Sequence, residues 1–374
     1  MKNIHISPVD TNFVNGNYPI EFLFYYSKKI SGKAIRKALK LCSQSFWPLF
    51  GRYENGRIYS EKYKETDFFN ELELNENFDQ TADDIDLWKK YQTINPHPME
   101  RLFSLSVLQF KNGTVFIPKM NHLAGDGYSY FYFLGVLAAL TQNSFIPFRR
   151  TLLRIASAPH HNRTALKPFL FEKTEIAPAL RYDNCSIHHE TVSRKSIREQ
   201  LRKIGSEKKE TVSTNDILSA MVVKNTIKSQ PDKFENKLTL SIPVDVRHRV
   251  KEYGTKFFGN GLYFHHLNIE FTKSEQPDVD ELAIMIRDSM PQISKNFYEE
   301  YLDKLEADIA GSDVHSLSPY NPEKGCLVTN LSRLPSKTLN FGTGNPDFIF
   351  ILTIGMNSAV ILADSENFIL RLVY

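Results

Sequence analysis

Cysteine is scarce. The 374 residues hold three, Cys42, Cys185 and Cys326, an odd number at wide separations, which excludes a disulfide framework and offers no structural zinc spacing. A reducing, cytoplasmic location is the expectation that follows. Long hydrophobic runs are also missing: the longest, Phe131 to Leu140, is about half the ~20 residues a membrane-spanning helix needs, and it reads as a buried helix. Met1 to Phe13 lacks the basic start and apolar run of a secretory signal, so no membrane association is expected. A strong charge of either sign is absent as well. Lys plus Arg number 46 against 43 for Asp plus Glu, a net charge of +3, too slight to argue for nucleic acid as a partner yet compatible with a small anionic ligand. There is no internal repeat and no low-complexity tract.

What is present is ordinary globular material, 41% hydrophobic and 12% aromatic, in a chain too long for one simple core, so two domains are expected. Alternation over Ile20–Tyr26 predicts a strand, and Ala34, Ile35, Ala38, Leu39 and Cys42 recur at helical spacing ahead of Pro48 and Gly51. Phe103–Phe110 and Thr114–Met120 read as two strands joined at Lys111-Asn112-Gly113. Pro118 has no N–H to donate, so its side of the second strand should be an edge or locally unpaired. From Asn143 to about Tyr182 periodicity is lost and Pro147, Pro159, Pro168 and Pro178 accumulate, the pattern of an irregular crossover. The expected division is therefore 1–145, a crossover over 146–183, and 184–374. In the last part strands are predicted at Ser186–Val192, Lys237–Pro243, Leu262–Phe271, Gly325–Asn330, Phe348–Met356, Ala359–Asp364 and Phe368–Val373. Helices are predicted over Ser193–Ile204, from Ser213, and over Val279–Glu306. The elements interleave without steady alternation, so the class is α+β.

In His122-Leu123-Ala124-Gly125-Asp126-Gly127 a histidine leaves a strand, a carboxylate follows four residues later, and two glycines permit positive φ in a sharp turn. The apolar helix after it, with Phe131, Leu134, Leu137 and Leu140, would anchor the turn. General-base catalysis needs an imidazole held at hydrogen-bond distance from its proton donor, which makes His122 the candidate base; a satisfied core or surface histidine is the other reading of the hexapeptide alone. Ser213-Thr214-Asn215 at a helix start, with Lys208 and Lys209 upstream, forms either an anion site or a plain N-cap beside a solvated lysine pair. The pairs His160-His161, His188-His189 and His265-His266 suggest metal ligands at first sight, but neighbours on a strand face opposite ways, so no metal site is expected. Cys42 and Cys326 read as core residues rather than nucleophiles.

Further segments fall in a consistent order: Trp47-Pro48-Leu49-Phe50-Gly51-Arg52, Ser213-Thr214-Asn215-Asp216-Ile217-Leu218-Ser219-Ala220, Val244-Asp245-Val246-Arg247, Phe257-Phe258-Gly259-Asn260, Val328 to Pro335, and Asn340-Phe341-Gly342-Thr343-Gly344. With the histidine hexapeptide they resemble the BAHD acyltransferases, relatives of chloramphenicol acetyltransferase and of peptide-synthetase condensation domains, nearly from end to end. Asn340 and Thr343 depart from the family's Asp and Trp in a motif understood as structural.

The resemblance implies two chloramphenicol-acetyltransferase-like domains, each a mixed sheet flanked by helices, with an active-site tunnel between them. His122 would be the general base, with no covalent acyl-enzyme. Asp126, salt-bridged to Arg247, and Gly127 would support the site. Ser213, Thr214 and Arg333 would contact coenzyme A, Arg333 otherwise making a surface ion pair. Acyl-CoA enters as co-substrate rather than as a tightly bound cofactor, the acceptor is a small-molecule alcohol or amine, and the working unit is a monomer. The Val-Asp-Val-Arg and Asn-Phe-Gly-Thr-Gly segments favour coenzyme A over the alternative of a carrier-protein-bound donor; the third reading is a catalytically silent scaffold of the same fold.

Overall fold

The computed structural model describes residues 2–13, 19–54, 56–91, 101–142, 185–254, 257–272, 275–311, 318–335 and 339–374. The expected crossover, with His160 and His161, lies outside them. The first part contains strands β1 (Asn3–His5), β2 (Pro19–Tyr26), β3 (Arg52–Glu54), β4 (Arg57–Tyr59), β5 (Phe69–Glu73), β6 (Phe103–Phe110) and β7 (Gly113–Asn121) and helices α1 (Gly32–Ser45), α2 (Asp84–Tyr91) and α3 (Gly127–Thr141). The second part contains β8 (Ile187–Ser193), α4 (Arg194–Lys203), α5 (Thr214–Ser229), β9 (Lys237–Asp245), β10 (Leu262–Glu270), α6 (Val279–Ser289), α7 (Lys295–Gly311), β11 (Gly325–Asn330), β12 (Phe348–Ile351), β13 (Ser358–Ala363) and β14 (Asn367–Val373).

Two mixed sheets carry the fold, which is α+β as the sequence pattern indicates. One runs β12-β2-β7-β6-β5, antiparallel except for the parallel pair β5 and β6. The other runs β10-β9-β11-β13-β14-β8, with β11 parallel to both neighbours. A small antiparallel sheet, β1-β4-β3, stands apart. The first sheet is buried on both faces: Phe22, Phe24 and Tyr26 of β2 join the core under α1 and α3, whereas Leu23 and Tyr25 join the cluster under α2. Alternate residues of a strand face opposite ways, so a doubly covered strand reads as one unbroken apolar run.

Pro118 sits in β7, which is central rather than an edge strand. The pairing of β2 with β7 lapses between Glu21↔Lys119 and Phe24↔Phe116, so the strand is locally unpaired where the proline has no N–H. The freed Pro118 carbonyl accepts a 2.8 Å hydrogen bond from the Tyr130 hydroxyl of α3.

Two expectations need correction. The single helix over Val279–Glu306 is two, α6 and α7, because Pro291 cannot continue a helix and disfavours helical backbone at Met290, whose φ, ψ are −71°, 120°. The strand over Phe348–Met356 stops at Ile351; beyond it Thr353 Oγ1 accepts from Glu21 N, and Asn357 takes a left-handed φ of 52°. β12, although it falls in the stretch 184–374, pairs antiparallel with β2 from Phe348↔Tyr25 to Ile351↔Phe22. A late segment of the chain thus completes the early sheet.

Candidate active site

β7 ends at Asn121, whose side-chain oxygen accepts from Leu123 N at 2.9 Å and caps a single helical turn, His122–Ala124. Asp126 then N-caps α3, its Oδ1 accepting from Ser129 N at 3.0 Å. His122 is thereby set between a central strand and a buried helix. The two glycines work through space rather than through positive φ, correcting the expectation. Gly125 is extended at φ 165°, and a Cβ there would come within 2.9 Å of Ser129 Cβ. Gly127 is the first residue of α3, where a Cβ would touch Leu331 and Leu334 at 3.4 Å.

The imidazole is held by two residues. Phe13 stacks on it, with ring centroids 3.8 Å apart and planes 15° from parallel. Asn260 Oδ1 lies 3.2 Å from His122 Nδ1, while Asn260 Nδ2 donates to the His122 carbonyl at 2.8 Å and to Asp10 Oδ1 at 2.7 Å. Burial pushes the imidazole down to about 4 against the smaller opposing pull of Asp126, so the ring is neutral near pH 7 and Nε2 is not committed to any of these contacts.

Asp126 does not serve the imidazole. Its carboxylate accepts from Arg247 NH1 at 2.8 Å and NH2 at 3.0 Å, from Ser129 N and from Gly261 N at 2.9 Å. Burial alone would raise this carboxyl; the Arg247 charge and these hydrogen bonds outweigh it and hold it below the usual carboxylate value. The pair is dry, with side-chain exposure of 0% for Arg247 and 3% for Asp126. Arg247 is further fixed by Asp245 Oδ1 at 3.1 Å, by the Gly259 carbonyl at 2.9 Å and by the Tyr128 ring, 4.6 Å away. Ser129 ties the two segments again, its hydroxyl donating to the Gly259 carbonyl at 2.9 Å and accepting from Gly259 N at 3.0 Å. Gly259 has φ 144°, a backbone conformation that excludes most side chains.

The candidate coenzyme A residues converge on a different edge. Ser213 caps α5, its hydroxyl bonded to Asp216 Oδ2 at 2.8 Å, and Asp216 is also paired with Arg287. Asn215 Oδ1 accepts from Asn330 Nδ2 at 2.8 Å, which brings the start of α5 beside the end of β11 and the Ser332-Arg333 turn. Leu331 and Leu334 of that turn face Gly127. Arg333 is exposed and makes no ion pair among the described residues; the Thr214 hydroxyl has no partner among them either.

The late motif clips onto the first sheet. Asn340 Oδ1 accepts from Gly342 N at 2.8 Å and Gly344 N at 3.1 Å, both glycines having positive φ, and Phe341 packs on Phe116 at 4.3 Å. His188, His189, His265 and His266 bond to Ser186, Asp84, Ser289 and Ser241 respectively. Asp10, Phe13 and Ser129 are site residues that sequence reasoning misses. Asn260 lies in the Phe257–Asn260 segment, but nothing in the sequence ties it to His122.

Residues 68–367 match the model of the Transferase family. The chain belongs to this family of BAHD-type transferases. Its fold is similar to that of solved structures at low identity. F. graminearum TRI101, complexed with coenzyme A and T-2 mycotoxin, is 13% identical with a TM-score of 0.74, covering 100% of this chain and 95% of that one. Vinorine synthase is 16% identical with a TM-score of 0.76, covering 100% and 90%. The first condensation domain of the calcium-dependent antibiotic synthetase is 12% identical with a TM-score of 0.61, covering 99% and 90%. No curated protein sequence matches it.

Proposed function

We propose that the BAHD-type protein moves an acyl group from an acyl-CoA thioester to a hydroxyl or amine of a small-molecule acceptor, with His122 as general base. The observation that carries this reading is the imidazole pinned by Phe13 and Asn260, neutral near pH 7, with Nε2 uncommitted among the described residues. An acceptor hydroxyl is too weak an acid to ionise alone. His122 takes its proton as the oxygen attacks the thioester carbonyl, the C–S bond breaks as the tetrahedral intermediate collapses, and the proton passes to the departing thiolate. Such assistance is typically worth ~10²–10⁴ in rate.

Asp126, Arg247 and Gly127 hold the turn. Thr214, whose hydroxyl at a helix amino terminus has no partner among the described residues, and the exposed Arg333 are the residues for the coenzyme A phosphates, since such termini favour anions; Ser213 contributes mainly as the cap. The donor class is tested by thermal unfolding with coenzyme A and a panel of acyl-CoA esters. A ligand at ~100 Kd adds about 2.7 kcal/mol and raises the midpoint. His122→Ala should keep that rise and lose turnover. No rise with any ester shifts the donor to a carrier-protein thioester, and retained turnover in His122→Ala removes the base assignment.

A further inference from the structure

Asp10 lies on the short helical segment Pro8–Phe13, ahead of β2, with its carboxylate buried among residues of both parts of the chain. One oxygen, Oδ2, accepts from Ser7 N at 2.6 Å; the other, Oδ1, accepts from Asn260 Nδ2 at 2.7 Å. The same Asn260 nitrogen faces the His122 carbonyl at 2.8 Å. An ionised carboxylate and a carbonyl can only accept, so both demand that the amide present its NH₂ to them. The Asn260 oxygen is left facing His122 Nδ1 at 3.2 Å, and because it too can only accept, Nδ1 must carry the proton.

We infer that Asp10 is a positioning residue for His122, acting through the Asn260 amide to fix the imidazole in the Nδ1–H tautomer and leave the Nε2 lone pair for the acceptor proton. The inference rests on His122 being the base. The His122 carbonyl alone would hold the amide less firmly, since it supplies one of the two acceptors. Phe13, three residues along the same segment, stacks on the ring, so one stretch of chain sets both the plane and the tautomer.

Burial pushes the Asp10 carboxyl up to about 7, with the Asn260 and Ser7 hydrogen bonds pulling it down and Asp126 adding to the rise. The Tyr53 and Tyr298 hydroxyls also face it, His122 is reached only through the Asn260 amide, and the Asp126 charge is countered by Arg247. Protonation weakens the carboxylate as an acceptor. An acid limb in kcat near pH 7 therefore belongs to Asp10 rather than to His122, which is held near 4.

The test is Asp10→Asn in the full chain, because one amide oxygen cannot satisfy both Ser7 N and Asn260 Nδ2. The expected result is a fall in kcat of about 10-fold or more, short of the ~10²–10⁴ of a lost base, with KM for acyl-CoA unchanged and the limb near pH 7 gone. ¹⁵N NMR of labelled histidine should show the Nε2–H tautomer of His122 rising in the variant. Wild-type kcat with the limb intact in a folded Asp10→Asn overturns the inference. The wild-type spectrum is decisive even if the variant does not fold: a proton on Nδ1 of neutral His122 above pH 7 supports the inference, and a proton on Nε2 overturns it. This readout needs no turnover, so it separates failure of the tautomer lock from failure of the base assignment, which His122→Ala reports.

Discussion

At the scale of single residues the most consequential contact is the dry pair of Asp126 and Arg247. Removing one partner strands the other as an uncompensated buried charge, at a cost of ~3–5 kcal/mol. Asp126→Ala and Arg247→Ala should each lose about that much in denaturant unfolding, and the double variant should lose clearly less than their sum. Strict additivity would mean the two charges do not depend on one another. The Asp126–Arg247 pair that the family resemblance implies is present, and the carboxylate is filled by Arg247, Ser129 N and Gly261 N. Asn260 lies in the Phe257–Asn260 segment, but its contact with His122, 138 residues away, has no local signature, because the loop that presents it is placed by β9 and β10 rather than by its own sequence.

At the scale of elements, the start of α5 separates capping from the proposed phosphate contact. Ser213 and Asp216 form a reciprocal capping box, whereas the Thr214 hydroxyl makes no contact among the described residues. Ser213→Ala should cost about 1 kcal/mol of stability and change the KM for acyl-CoA little, whereas Thr214→Ala should raise that KM with stability nearly unchanged. The reverse outcome would assign the phosphate contact to Ser213. Helix starts and strand runs were readable because caps, periodicity and turn residues are local. The break at Pro291 is legible in the sequence too, but the apolar pattern continues on either side of the proline. The glycines of the histidine turn could not be interpreted locally, since what they make room for, Ser129 on one side and Leu331 and Leu334 on the other, is known only once the chain is folded.

At the scale of the molecule, the two parts are joined by more than the site. β12 adds a strand to the first sheet beside β2, and one apolar cluster takes in Phe24 and Leu134 together with Val246, Phe258 and Leu302. Unfolding should therefore be a single cooperative transition, with calorimetric and van't Hoff enthalpies in agreement; two resolved transitions would contradict it. A fragment of residues 1–145 would leave β2 as an unpaired edge flanked by apolar side chains and should aggregate.

The sequence by itself determined the α+β class, most element boundaries and the position of His122 at a strand end, because hydrophobic period, caps and turn chemistry act over a few residues. The tertiary structure alone decided that β12 belongs to the first sheet and that Asp10, Phe13 and Asn260 surround the ring. Those contacts join residues more than a hundred positions apart, and which distant partners meet is settled by how the sheets and helices pack.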